Sequence, residues 1–165
     1  MKCPYIKIPV VGIPNWPWKK NLVKYSCEHP KIFVLDIKYL CYGCQTHLEL
    51  LKMFDKENQE YSKTKYFLYQ TKKKGVNEKS AISKINNFKE FYRIFKKGKK
   101  VSGYITITID GCRLDGSHRL SMLSHLGTEK AEVNIAFYED LFKKDQIEKI
   151  RKQVLLFRKK EHGFE

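Results

Sequence analysis

The stretch Ile105-Thr106-Ile107-Thr108-Ile109-Asp110-Gly111-Cys112-Arg113-Leu114-Asp115-Gly116-Ser117-His118-Arg119-Leu120 decides how this chain folds. Isoleucines at 105, 107 and 109 alternate with Thr106 and Thr108, the two-residue period of a half-buried strand. Asp110-Gly111 is a tight-turn pair, which predicts a hairpin returning through Cys112–Leu114. Beyond Asp115-Gly116 the spacing predicts a helix from about Ser117 to Leu126, with Leu120, Leu123 and Leu126 towards the core and Gly127 as its stop.

The strand-to-helix junction has a chemistry of its own. The first amide N–H groups of a helix have no intrahelical acceptor, and the helix dipole adds partial positive charge there. Such a junction holds anions, phosphate in particular. Gly116 lets a phosphate approach the backbone, Ser117 caps or donates, and His118 and Arg119 add side-chain donors. Asp115 is expected either to hold a magnesium ion on the phosphate oxygens or to orient His118. The alternative is an ordinary helix start, with Asp or Ser as cap and Gly for the turn. It leaves unexplained why His118 and Arg119 follow in the first turn, where cations oppose the dipole.

On the N-terminal side, Phe88, Phe91, Tyr92 and Phe95 recur at helical spacing, with Asn87 as N-cap, Glu90 three residues on and Gly98 as the end. Tyr66–Tyr69 reads as a strand and Lys72–Ser80 as a basic loop. His47–Phe54 reads as a helix, and Ile32–Ile37 as a strand rich in β-branched and aromatic residues. Residues 1–30 hold all five prolines and read as an irregular arm, with a short strand over Tyr5–Val11 and an extended loop over Asn15–Lys20. Trp16 and Trp18 are expected to pack as a lid on the core; stacking on a base or a sugar is the alternative.

On the C-terminal side, Val133, Ile135 and Phe137 mark a strand. Asp140–Arg158 follows as a charged amphipathic helix that buries Leu141, Ile147, Ile150, Val154 and Phe157. There are no internal repeats and no heptad array. The layout is α+β, a small mixed β-sheet flanked by helices, divided into an arm (1–30), a core domain (31–140) and a basic C-terminal helix (141–165).

Composition narrows the field. Aromatic residues at 13% and apolar residues at 42% of 165 positions suit one globular domain with a core. No apolar run approaches the roughly 18 residues of a membrane span, and Met1-Lys2-Cys3-Pro4 does not open a secretory signal, so a soluble, cytoplasmic protein is expected. The net charge of +15, from 33 basic against 18 acidic residues, favours polyanionic partners, although most of the excess is lysine and, with the abundant Ile, Asn, Tyr and Phe, fits a bias towards AT-rich codons. Nucleic acid is therefore an open partner but not the favoured one.

The five cysteines are expected to be reduced. Cys41-x-x-Cys44 followed by His47, with Cys27 and His29 as a second half, has zinc-ligand spacing, but a reduced structural pair is the expected reading. Cys112 is expected in the core and His125 on the surface or satisfied.

The run of strand, tight turn, second strand, Leu114-Asp115-Gly116-Ser117-His118-Arg119-Leu120, helix and closing Leu126-Gly127 resembles the ParB/sulfiredoxin-like superfamily. The resemblance covers about residues 31–140. It implies a nucleotide-phosphate site at the helix start, on a scaffold that serves DNA partitioning, sulfinic-acid repair, ATP hydrolysis and phosphorylation of small metabolites. Sulfiredoxins carry their reactive cysteine where this chain has Ser117, so repair chemistry is not expected. The partition proteins' Glu-Arg-Arg motif and helix-turn-helix domain find no counterpart here. The Asp-Gly-x-His-Arg form is most similar to the free-serine kinases and related ATPases. The resemblance thus implies an ATP- or ADP-dependent phosphotransferase, with Mg2+, acting on a small hydroxylated metabolite such as serine or a sugar. A nucleotide-responsive DNA-binding protein or ATPase is the alternative. In the kinase branch an early acidic residue positions or deprotonates the acceptor; Glu49 is nearest in position, with Asp36 behind it. For Glu49 a solvated helix carboxylate is the competing role.

Overall fold

A computed structural model describes residues 2–40, 45–99 and 103–163. Its described residues form an α+β fold with a five-stranded mixed sheet and six α-helices. The chain divides into two compact units: Met1–Gly43, Gly103–Ser117 and Glu129–Glu165 make the first, and Cys44–Ser102 with His118–Thr128 make the second.

The first unit contains the whole sheet. Its strands β1 (Val11–Gly12), β2 (Ile32–Asp36), β3 (Ile105–Thr108), β4 (Cys112–Asp115) and β5 (Lys130–Ala136) lie in the order β1-β4-β3-β5-β2. The β3–β4 and β2–β5 pairs are antiparallel, and β1–β4 and β3–β5 are parallel. The predicted hairpin at Asp110-Gly111 is present. The predicted strand is present as β3, but it is fully buried rather than half-buried: Ile105, Thr106, Ile107 and Thr108 are all buried, as befits the central strand of the sheet. Buried Asn134 on β5 accepts from the Lys31 amide (2.8 Å) and donates to the Ser26 carbonyl (2.9 Å), joining the chain on either side of Pro30 to the sheet.

Two helices complete this unit, α1 (Pro17–Glu28) and α6 (Lys144–His162). The loop expected over Asn15–Lys20 is instead the start of α1. Pro17 occupies the first helical position, where a missing N–H costs nothing. The strand expected over Tyr5–Val11 shrinks to Val11–Gly12. The predicted C-terminal helix starts at Lys144, because Tyr138–Asp140 forms a 3-10 turn; Ile147, Ile150 and Val154 are buried as expected and Leu141 is exposed. Trp16 and Trp18 do pack as a lid. Trp16 meets Phe157 edge-on, Trp18 meets Tyr138, and the Trp18 indole donates to Gln153 Oε1 (2.9 Å).

The second unit is helical. Helix α2 (Gln45–Asp55) matches the expected helix over 47–54. The expected strand Tyr66–Tyr69 is helix α3 (Lys65–Leu68) running into a π turn over Tyr69–Lys73, so its aromatics serve a helical face. Helix α4 (Glu78–Lys96) begins earlier than predicted: Asn77, not Asn87, is its cap, accepting from the Ser80 amide (2.8 Å), and part of the expected basic loop is helical. Helix α5 (Ser117–His125) buries Leu120, Ser121 and Met122; Leu123 is half-buried, and Leu126 lies past the helix and is exposed, contrary to the predicted leucine stripe. Leu50, Leu51, Phe54, Ile85, Phe88 and Met122 are the centre of this unit's core.

No described helix is long and apolar enough to cross a membrane.

Candidate functional site

Three of the sequence-predicted site residues meet in the first unit. Asp115 at the end of β4, Gly116 and Ser117 line a cleft of about 170 Å³ together with Gly12, Lys19 and Arg113. Two neighbours on this cleft went unnoticed in the sequence. Arg113 lies two residues before Asp115 and so shares its face of β4. Lys19 arrives from the first turn of α1, because β1 runs beside β4 with Gly12 paired to Arg113.

The local backbone explains the glycines. Gly116 has φ +89°, and a Cβ there would come within 2.7 Å of the Ile105 Cα and 3.0 Å of the Tyr104 carbonyl. Its lack of a side chain lets β4 turn against β3, which is a different reason from the phosphate approach expected from sequence. A Cβ on Gly12 would lie 2.7 Å from Nη2 of Arg113, so this second glycine makes room for the guanidinium.

The cleft concentrates positive charge. Lys19 donates to the Ile13 carbonyl (3.1 Å) and to Asn15 Oδ1 (3.3 Å). Burial above all, and then the Arg113 guanidinium, push its ammonium below the ordinary lysine range, while Asp115 pulls it back. Two cations held together at partial burial carry an electrostatic cost, and Lys19 sits besides in a helix first turn, where the dipole opposes it. Asp115 offsets part of that cost. One of its oxygens accepts from the Gly116 amide (2.7 Å).

His118 belongs to the second unit. Its ring lies 4.5 Å from that of His47 and 4.4 Å from that of Phe88, and it lines a larger cavity of about 540 Å³. Arg119 is half-buried on the same helix. Glu49, also in this unit, accepts from the Lys65 amide (3.0 Å) and so holds the first residue of α3. Asp36 is in the first unit but remote from Asp115. The register runs Asp115–Thr106–Asn134–Ile32, and Asp36 lies four residues further along β2. Three strand spacings of about 4.8 Å and four residues of about 3.3 Å put the two residues' Cα atoms roughly 20 Å apart.

The remaining sequence candidates are structural where the described residues reach them. His125 Nε2 lies 2.6 Å from Asp55 Oδ2, and Asp55 also accepts from Tyr92 (2.9 Å) and Lys96 (3.2 Å). Cys112 is buried, and burial with the nearby Asp110 charge pushes its thiol up to about 12. Cys41 and Cys44 lie outside the described residues. His29 stacks on Tyr25, and among the described residues no cluster of three or more His, Cys, Asp or Glu can hold a metal.

Comparisons of this chain with protein-family models, with curated proteins and with solved structures give no significant match.

Proposed function

We propose that the cleft of the first unit holds the phosphates of a nucleotide, ATP or ADP with magnesium, and that the protein is a phosphotransferase acting on a small hydroxylated metabolite. The observation that carries the reading is the meeting of Lys19 and Arg113 with Gly116 and Ser117 where α5 begins. The resemblance of the Asp115–Arg119 run to the ParB/sulfiredoxin-like superfamily points the same way; of that run, Asp115, Gly116 and Ser117 line the cleft, while His118 lines the cavity of the second unit.

A volume of about 170 Å³ takes phosphate groups rather than a whole nucleotide, so sugar and base extend beyond it. Arg113 offers a planar fork to phosphate oxygens and Lys19 a point charge. An anion there also removes the mutual cost of the two cations. One Asp115 oxygen accepts from the Gly116 amide, and the carboxylate would hold the metal; one carboxylate with phosphate oxygens and water is a donor set that Mg2+ accepts. The ion supplies charge neutralisation on the phosphates. Phosphoryl transfer depends chiefly on positioning and such neutralisation. Acceptor activation is left to no named residue, because Asp36 is remote from Asp115 and Glu49 is engaged with α3.

A thermal-shift screen against ATP, ADP and CTP with Mg2+, followed by product detection with serine and sugars, tests the reading. Stabilisation by a nucleotide and a phosphorylated product support it; no shift with any nucleotide ends it. The second reading, a DNA-binding protein or ATPase, rests on α6, which exposes Lys144, Lys149, Lys152, Lys159 and Lys160. Retention of duplex DNA at low salt, falling steeply as salt rises, favours that reading.

A further inference from the structure

The cavity of about 540 Å³ in the second unit is chemically unlike the small cationic cleft. Its rings are Tyr66 from α3, Phe88 and Phe91 from α4, and His118 from α5. Its polar groups are Gln70 and Lys74, from the π turn and its end, and Lys84 and Asn87 from α4. Positions 84, 87, 88 and 91 recur at i, i+3, i+4 and i+7, so a single face of α4 presents cation, amide and rings together.

Gln70 gives the cavity a fixed polar point. The residue is only 5% exposed and its carboxamide oxygen accepts from Lys84 Nζ (3.1 Å). The carboxamide nitrogen makes no hydrogen bond among the described residues, which leaves its two N–H donors for a ligand acceptor. The π turn, with its i→i+5 bonding, sets Gln70 inwards while Lys72 and Lys73 stay exposed. The volume lies in the range of small-molecule pockets, which combine apolar walls with a few polar groups.

We propose that this cavity binds a small planar anion, an aromatic ring carrying a carboxylate or a phosphate. The ring stacks among Phe88, Phe91 and His118; Lys84 and Lys74 meet the anionic group, and the Gln70 N–H donors meet an acceptor on the ring or the anion. The site is independent of the nucleotide reading above, and none of its residues lines the cleft of the first unit.

Calorimetric titration of the full chain with two matched pairs of probes tests this: indole-3-acetate against indole-3-ethanol, and AMP against adenosine. At least one anion is expected to bind about tenfold or more tightly than its neutral partner. Binding by the indole pair identifies an aromatic acid as the source, and binding by the adenosine pair a nucleotide. Lys84→Met and Phe91→Leu, each checked for an unchanged thermal melt, are expected to weaken the anion about tenfold and several-fold respectively, while Arg113→Ala leaves it unchanged. The proposal is overturned if neither anion binds, if the neutral partners bind as well, if binding survives either substitution in the second unit, or if Arg113→Ala is what removes it. Loss of ATP binding in Arg113→Ala concerns the other cleft alone, so the two readings fail separately.

Discussion

Gly116 sits with φ +89° where its missing Cβ would meet the Ile105 Cα at 2.7 Å. Backbone, not a flexible side chain, is the obstacle, so the strain cannot be relieved locally. Gly116→Ala is expected to cost roughly 2–4 kcal/mol, from left-handed strain and overpacking together, read as a fall in urea midpoint at constant slope. Asp55 makes a second residue-scale case. Burial opposes its charge, yet hydrogen bonds from His125, Tyr92 and Lys96 outweigh that and hold its carboxyl below the usual range. Burial first, and Asp55 second, push the Tyr92 hydroxyl up to about 12. A depressed carboxyl stabilises the fold fully above its unfolded value of about 3.9 and loses that contribution as pH falls through the folded value. Asp55→Asn is therefore expected to lower stability by about 1 kcal/mol near neutral pH, a modest figure because the pair is partly exposed, and the difference should shrink below about pH 4. A constant difference across that range in urea melts would contradict the assignment.

Elements differ in how plainly their sequences announce them. The β3–β4 hairpin and the start of α5 were legible because β-branched alternation, Asp110-Gly111 and Gly116 each fix a local geometry. Helix α1 was not, since Pro17 is a breaker inside a helix and a favoured residue at its first position, and only the following turns distinguish the two. Tyr66–Tyr69 suits a strand or a helix equally by composition; packing of Phe67 into the second unit's core decides for the helix. Helix α4 has two asparagines of capping type, Asn77 and Asn87, and the aromatic run begins directly after Asn87, the one that lies inside the helix. Asn77 makes the capping bond, so Asn77→Ala is expected to cost about 1 kcal/mol in chemical melts while Asn87→Ala is near neutral for stability.

At the scale of the whole molecule, the candidate phosphate cleft was half legible. Asp115, Gly116 and Ser117 stand in one run of sequence, but Lys19 and Arg113 are brought together only by the parallel pairing of a two-residue strand, which no local pattern reveals. Conversely, His118 follows Ser117 directly in the chain and yet lines a cavity in the other unit, because successive helical residues face different directions. The charge of +15 is legible from composition and predicts retention on heparin at low salt whatever the function. Arg158 ties distant segments of the first unit, donating from a buried guanidinium to the Gly111 (3.1 Å) and Pro9 (3.0 Å) carbonyls. Its replacement by methionine is expected to cost about 2–3 kcal/mol in urea melts.

The cations beside Asp115 and Gly116 are the centre of the proposed phosphate site. Calorimetric titration of ATP with Mg2+ into the full chain, and into Lys19→Ala and Arg113→Ala variants with unchanged melts, addresses them directly. The expected result is saturable binding to the unaltered protein, weakened about tenfold or more by either substitution. Equal affinity in all three proteins, or no binding to any, would contradict it.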